Sequence, residues 1–262
     1  MMAMFRQIAR HNVGDRFVKA WMLGMVMVAV SLAVAAMEPA RADDFTPAQR
    51  AEIVQIMRQA MEKDPTILRD AVAAMQADDD ARAAKTASIA ITKHEAEILA
   101  SPTGMVAGNP HGSVTVVEFY DTRCPYCRKM LPEIASLLQS NPNVRWIYKD
   151  FPVLGPSSVM EAKALVAASR QGGYSRLQAL FMKQGGTETE DNIAMLADSV
   201  GLDSKKLLAD MKDPSVAAAI DANLTLASNL NIDGTPAFVI GDTLVPGALD
   251  LDDLKKLVDG VE

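Results

Sequence analysis

Cysteine and histidine are scarce in this chain. Its 262 residues include two cysteines and three histidines. A zinc or iron–sulfur site in the familiar spacings needs about four such ligands from one chain, so the composition predicts no metal centre of this kind and no bound cofactor. The two cysteines, Cys124 and Cys127, are separated only by Pro125 and Tyr126. Any cysteine chemistry therefore belongs to one short segment.

Positive charge is in the minority as well. Lysine and arginine number 26 against 33 acidic residues, which gives a formal charge of −7. A chain with this balance is poorly suited to follow a nucleic-acid backbone, so we expect no nucleic-acid partner. No apolar run reaches the roughly 18 residues that a membrane-spanning helix needs. A composition of 49% hydrophobic and 23% charged residues is typical of a globular protein.

The amino terminus has the three parts of a secretory signal peptide. Four basic side chains lie within residues 1–19, the uncharged run Trp21–Ala36 follows, and Ala40-Arg41-Ala42 supplies small residues for a cleavage site. This pattern predicts a cleavable signal over residues 1–42 and export of the remaining chain. An uncleaved membrane anchor is the alternative.

Residues 43–102 are expected to form an arm of helices. Thr46-Pro47-Ala48-Gln49 has the spacing of a capping box with proline at the first helical position, and Asp78-Asp79-Asp80 predicts a break or a cap. A third helix is expected over about Ala81–Leu99, with an apolar residue every seven positions: Ala84, Ile91 and Ile98. Such thin apolar stripes do not fold alone in water. They must pack on the rest of the chain or on another copy, and the sequence leaves both possibilities open.

Residues 103–262 alternate between strands and helices, which predicts the α/β class. The expected strands are Val114–Phe119, Val144–Lys149, Pro236–Ile240 and Thr243–Pro246. The expected helices are Cys124–Ser140, a helical insert over about residues 157–229, and Leu249–Val258. The last two strands flank Gly241-Asp242, which is typical of a hairpin turn.

The cysteine pair lies where a strand is expected to meet a helix. Unpaired N–H groups and the positive end of the helix dipole would stabilise a thiolate at Cys124, and a thiolate is the nucleophile of thiol chemistry. Cys127 would lie one turn inside the helix as the resolving thiol. A disulfide across so short a loop stabilises the fold little. In an exported chain the pair therefore indicates chemistry, whereas half a zinc site and a structural pair are the weaker alternatives.

Two other positions accompany the cysteines. Glu118 lies six residues before Cys124 inside an apolar strand, where a buried carboxyl should have a raised pKa and exchange protons with a neighbouring thiol. A carboxylate leaning into solvent is the alternative. Thr235-Pro236 opens a later strand, and the peptide bond before a proline can be cis.

Together these features resemble the DsbA-like branch of the thioredoxin superfamily over about residues 103–262. The resemblance rests on Cys124-Pro125-Tyr126-Cys127 at a strand–helix junction, Glu118, the helical insert and Gly234-Thr235-Pro236. It implies a thioredoxin fold, a periplasmic location, a cis Pro236, a substrate segment held by the backbone of Thr235, and Glu118 as the buried proton-exchange carboxyl. The arm is similar to that of the suppressor-of-copper-sensitivity C proteins, some of which form trimers through it.

The resemblance implies a thiol–disulfide oxidoreductase and leaves its direction open. The DsbA oxidases have histidine where this chain has Tyr126 and valine where it has Thr235, and both differences favour an isomerase or reductase. A disulfide-forming oxidase is the alternative, and a Cu(I)-binding envelope protein that uses the same thiols, linked to copper tolerance, is a second one. The expected partners are exported proteins that contain cysteine, a membrane protein that recharges the pair, and further copies of this chain.

Overall fold

The computed structural model describes residues 45–101, 105–184 and 189–261. The predicted signal peptide, residues 1–42, lies outside the described residues. Contacts within the chain divide it into two compact units, residues 1–73 and residues 74–262.

The first unit contains helix α1, Pro47–Lys63, and the beginning of helix α2, Thr66–Lys93. The predicted capping box is present, because the Thr46 side chain accepts from the Gln49 N–H and the Gln49 side chain accepts from the Thr46 N–H at 2.9 Å. Many apolar side chains here are exposed: Ile53, Val54, Ile56, Met57, Met61, Ile67, Leu68 and Val72.

Helix α2 runs without interruption through the three aspartates, so the predicted break or cap at Asp78–Asp80 is wrong. Arg82 lies one turn further on and forms ion pairs of 2.5 Å with Asp78 and Asp79. Pairs three and four residues apart lie on the same side of a helix and stabilise it. The predicted third helix, about Ala81–Leu99, is therefore the end of α2 followed by a short helix α3, Glu95–Leu99.

The described part of the second unit holds one sheet of five strands in the order β1-β3-β2-β4-β5. The strands are β1, Val106–Gly108; β2, Val114–Tyr120; β3, Val144–Asp150; β4, Ala237–Ile240; and β5, Thr243–Pro246. Strands β2 to β5 lie within one residue of their predicted bounds. The sequence predicted only a loop where β1 lies, because three residues paired at a sheet edge leave no alternating pattern.

Strands β2 and β3 are parallel, and β4 pairs with β2 in the antiparallel direction. The β4–β5 hairpin turns where predicted, with Ile240 opposite Thr243 and Gly241 at a φ of 59°. Glycine is favoured at this turn position because it has no Cβ to clash at positive φ.

Helix α4, Pro125–Ser140, connects β2 to β3, and helix α10, Leu251–Asp259, closes the chain. Between β3 and β4 the described residues form five helices, which confirms the helical insert. They are α5, Pro156–Ser169; α6, Tyr174–Gln184; α7, Glu190–Ser199; α8, Ser204–Asp210; and α9, Pro214–Asn229.

The sheet is covered on both faces by separate apolar cores. One core joins alternate residues of β2 and β3, among them Val116 and Trp146, to Cys127 and Met130 of α4. The other core contains Phe119 and Ile147 together with Ile91 of α2 and Ile98 of α3. Ile91 and Ile98 are only 5% and 2% exposed. Of the two possibilities that the sequence leaves open for the arm, Ile91 and Ile98 therefore follow the first, which is packing on the rest of the same chain.

Candidate active site

Cys124 lies between the end of strand β2 and the start of helix α4. It is the N-cap residue of α4, and Pro125 occupies the first helical position, where a missing N–H costs nothing. The side chain of Cys124 is 4% exposed and that of Cys127, one turn further on, is fully buried. Both cysteines are free thiols. The positive end of the α4 dipole is therefore close to the more accessible of the two sulfur atoms.

Strand pairing brings Thr235 and Pro236 next to Cys124. The peptide bond between them is cis, and Ala237, the next residue, pairs with Phe119 of β2. The Cys124 thiol donates a hydrogen bond to the Thr235 carbonyl, with 3.2 Å between Sγ and oxygen. Two segments that are 111 residues apart in sequence thus meet at one sulfur atom.

A groove of about 480 Å³ adjoins this contact. Tyr126, which is 62% exposed, lies on one side of it, and Asp233 is its charged lining residue. The remaining lining is small, apolar or polar: Asn231, Ile232, Gly234, Thr235, Pro236, Ala237, Leu244, Pro246, Gly247 and Ala248. An extended polypeptide segment with apolar side chains matches such a lining.

Glu118 is buried beneath the cysteines on the same face of the sheet. It is 0% exposed, so the alternative of a solvated carboxylate is wrong. Trp146 Nε1 donates to its Oε2 at 3.1 Å, and within the described part of the chain its Oε1 has no hydrogen-bond partner. Burial raises the pKa of Glu118 to about 8, and the Trp146 hydrogen bond lowers it only in part. Glu118 can therefore gain and lose a proton near neutral pH.

Burial also changes the pKa of the Cys127 thiol. Burial raises the pKa of Cys127 well above its usual range, and the negative charge of Glu118 raises it further. Cys127 therefore stays protonated unless a group close by removes its proton, and Glu118 is close enough to act on it electrostatically.

Asp121 also shapes the site, and sequence reasoning missed it. Its Oδ1 accepts from the Arg123 N–H at 2.8 Å, and its Oδ2 accepts from the N–H groups of Val153 and Leu154 at 3.0 and 3.1 Å. One carboxyl group thus ties the turn before Cys124 to the loop after β3. An acidic residue directly after a buried strand was the available signal.

Asp150, at the end of β3, is another buried acid that sequence reasoning missed. Asp150 Oδ1 accepts hydrogen bonds from the hydroxyl groups of Tyr120 at 2.9 Å and Tyr174 at 3.1 Å. Burial raises the pKa of Asp150 to about 7 despite these two donors. Tyr174 belongs to the helical insert, so the pair cannot be found from local sequence spacing.

Comparison with known proteins identifies the family. The family model described as thioredoxin matches residues 100–260. The chain belongs to the thioredoxin family. A thioredoxin-like oxidoreductase from Silicibacter pomeroyi is 41% identical, with a TM-score of 0.59 over 63% of this chain and 95% of that chain.

Two further crystal structures resemble this thioredoxin-family protein. The thiol–disulfide exchange protein alpha-DsbA2 from Wolbachia pipientis is 26% identical, with a TM-score of 0.63 over 68% of this chain and 97% of that one. Proteus mirabilis ScsC in a transitional conformation is 27% identical, with a TM-score of 0.61 over 83% and 98%. These structures confirm the thioredoxin fold and the predicted resemblance to DsbA-like and suppressor-of-copper-sensitivity C proteins.

Curated relatives include much longer proteins. One is a Na⁺/H⁺ antiporter from Salinispora tropica, which is 26% identical over 155 residues, or 58% of this chain. The match spans 24% of the antiporter's length. In the described portion of this thioredoxin-family protein, none of the helices combines the length and apolar character that crossing a bilayer requires.

Proposed function

We propose that this protein is a thiol–disulfide oxidoreductase that exchanges disulfides with exported polypeptides through Cys124 and Cys127. The contact of 3.2 Å between Cys124 Sγ and the Thr235 carbonyl carries the proposal. It places the thiol at the start of helix α4 against Thr235, whose backbone lines the groove. The family match and the solved structures of thiol–disulfide exchange proteins support the same reaction.

The groove suits a substrate in an extended conformation. A segment lying along Thr235 would bring its sulfur to Cys124, and its apolar side chains would lie against Ile232, Leu244 and the exposed ring of Tyr126. Backbone contacts do not depend on the side chains of the substrate. The site therefore fits many cysteine-containing clients rather than one sequence.

Exchange proceeds in two displacement steps. The Cys124 thiolate attacks one sulfur of a substrate disulfide, the substrate S–S bond breaks, and a mixed disulfide forms while the departing substrate thiolate takes a proton. Cys127 then attacks Cys124 Sγ and releases the second substrate thiol. The substrate gains two electrons and the Cys124–Cys127 pair loses them. If a substrate thiol attacks the mixed disulfide instead, Cys124 is regenerated and the substrate is isomerised.

Glu118 is the proton acceptor for the second step. Cys127 must lose its proton to attack, and its burial opposes ionisation. Glu118 has an oxygen atom without a hydrogen-bond partner among the described residues and a pKa near neutrality. It can accept the proton of Cys127 when the disulfide forms and return it when the pair is reduced.

Isomerisation or reduction is the favoured direction. Tyr126 supplies no cation beside Cys124, so the disulfide should be a weaker oxidant than one flanked by histidine. The exposed apolar side chains of α1, such as Ile56 at 59% and Met57 at 56%, provide a surface for self-association. A trimer formed through residues 43–102 would hold several active sites around one misfolded client.

The proposed setting is the periplasm after removal of residues 1–42. There, cysteine-containing exported proteins would be the clients, and a membrane redox protein would recharge the Cys124–Cys127 pair. Two closely spaced thiols are also suited to Cu(I). A copper-binding role without exchange activity is therefore one outcome that the decisive experiment must separate.

The decisive experiment is refolding of a scrambled-disulfide protein by residues 43–262 in glutathione buffer, with light scattering on the same sample. Recovery of the client's activity by a multimer, absent in Cys124→Ser, supports an isomerase. Oxidation of a reduced client without rescue of the scrambled one identifies a disulfide-forming oxidase instead. Failure of both reactions together with tight Cu(I) binding would refute the proposed exchange and leave the copper-binding role.

A further inference from the structure

A side chain from the helical insert holds the turn that leads into Cys124. Glu161 of α5 is 1% exposed and accepts a hydrogen bond from the Thr122 hydroxyl. Its other oxygen, Oε1, accepts from Arg123 Nη1 at 3.1 Å. Arg128 of α4 donates from Nε to the Thr122 carbonyl at 3.0 Å. A buried carboxylate is thus bonded to both residues that directly precede the reactive cysteine.

The charges in this arrangement matter because Arg123 is adjacent to Cys124. A cation near a thiolate stabilises the thiolate, and stabilising the reduced form makes the disulfide a stronger oxidant. Glu161 opposes this effect, since its carboxylate pairs with the guanidinium of Arg123 and adds a negative charge near the turn. The Arg123 side chain is 24% exposed, so solvent screens this pair only in part.

We propose that Glu161 is a positioning residue that sets the redox equilibrium of the Cys124–Cys127 pair. It orients Thr122 and Arg123 ahead of the helix, and its charge offsets that of Arg123, so that the disulfide remains a weak oxidant. This inference rests on the proposed function. The reaction concerned is reduction of the Cys124–Cys127 disulfide by two glutathione thiols, in which two electrons pass to the protein and glutathione disulfide forms.

The test measures the equilibrium constant of that reaction in the purified protein. Glu161→Gln keeps the shape and the acceptor for Thr122 but removes the charge, so the constant should shift toward the reduced protein by roughly threefold to tenfold, or about 15 to 30 mV. Arg123→Gln should shift it in the opposite direction, and the double variant should lie near the wild type. The ultraviolet absorbance of the thiolate at fixed pH should rise in Glu161→Gln.

Glu133→Gln is the matched control, because Glu133 lies half-buried on the same helix as Cys127 and its removal changes the net charge equally. An equal shift in Glu133→Gln and Glu161→Gln, or no shift in Glu161→Gln, would overturn the proposal. If Glu161→Gln does not fold, Arg123→Gln decides, since an unchanged constant there also overturns it. A wild-type pair that never equilibrates with glutathione would instead refute the proposed function itself.

Discussion

The folding stability of the wild type should fall as the pH rises because of Glu118, and Glu118→Gln should not show this fall. The Glu118 carboxyl is fully buried, and burial raises its pKa from 4.5 to about 8. The folded protein therefore binds this proton more tightly than the unfolded chain does. Below pH 4.5 both states are protonated and burial of the carboxyl carries no charge penalty. As the pH rises toward 8 the unfolded chain ionises freely, and folding becomes progressively less favourable.

The magnitude follows from the difference between the two pKa values. Each pKa unit corresponds to about 1.4 kcal/mol. Relative to its value below pH 4.5, the unfolding free energy of the wild type should therefore be lower by about 1 kcal/mol at pH 5, about 3 kcal/mol at pH 7 and about 4 kcal/mol at pH 8 because of Glu118. A glutamine has no charge to bury, so the variant escapes this loss while it keeps an acceptor for Trp146 Nε1.

The measurement is urea unfolding of both proteins from pH 5 to pH 8, with both cysteines kept reduced. Asp150 also titrates in this range, with a pKa of about 7, but it is present in both proteins and cancels in the difference between them. That difference should grow by about 3 kcal/mol from pH 5 to pH 8 in favour of Glu118→Gln. Glu133→Gln, on a partly exposed position of α4, is the control for the loss of one carboxylate as such.

A difference between Glu118→Gln and the wild type that stays constant from pH 5 to pH 8 would refute the reasoning. It would mean that the carboxyl titrates alike in the folded and unfolded chains, and a group with an ordinary pKa would remain ionised and unable to take the proton of Cys127 near neutral pH. The proposed proton exchange would then lose its physical basis, although the exchange reaction itself would still be open to the refolding assay.

Other variants test the thiols and the arm. Cys127→Ser should trap a mixed disulfide between Cys124 and a client, visible by mass spectrometry, while Cys124→Ser should trap none; equal trapping would contradict the assigned roles. Ile98→Ala should lower the unfolding free energy by about 2 to 5 kcal/mol without changing the mass from light scattering, because Ile98 is buried within the chain. Ile56→Asp should do the reverse, reducing the mass of an oligomer with little effect on stability, and an unchanged mass would argue against self-association through α1.

Local patterns were sufficient for the parts of the fold that are dominated by short-range effects. The capping box at Thr46 and the hairpin at Gly241 lie where the sequence predicts them, and strand β2 ends at Tyr120, one residue beyond its predicted bound. Each depends on alternation, capping or turn chemistry within a few residues. The break or cap predicted at Asp78–Asp80 is wrong, because ion pairs from Arg82 to Asp78 and Asp79 offset the preference of aspartate for helix ends.

Long-range pairing accounts for what the sequence did not reveal. Ile91 and Ile98 follow a spacing that fits a helix interface, but spacing does not say whether the partner is the same chain or another. The hydroxyl of Tyr174 reaches Asp150 across 24 residues, and Glu161 reaches Arg123 across 38. Such contacts are created by the way the insert packs, and a single sequence carries no record of them.

The buried acids around Cys124 divide into two kinds by how they are hydrogen-bonded. Asp121 accepts three backbone N–H groups, so its carboxylate is fixed and holds the turn in place. Glu118, on the preceding strand, receives one donor and lies in an apolar core. Burial without matching donors destabilises the charged form, which leaves Glu118 able to change protonation when Cys127 does. The proposed exchange reaction would use both kinds of acid, because a fixed turn would hold Cys124 for its substrate while a proton that can leave Glu118 would let Cys127 react.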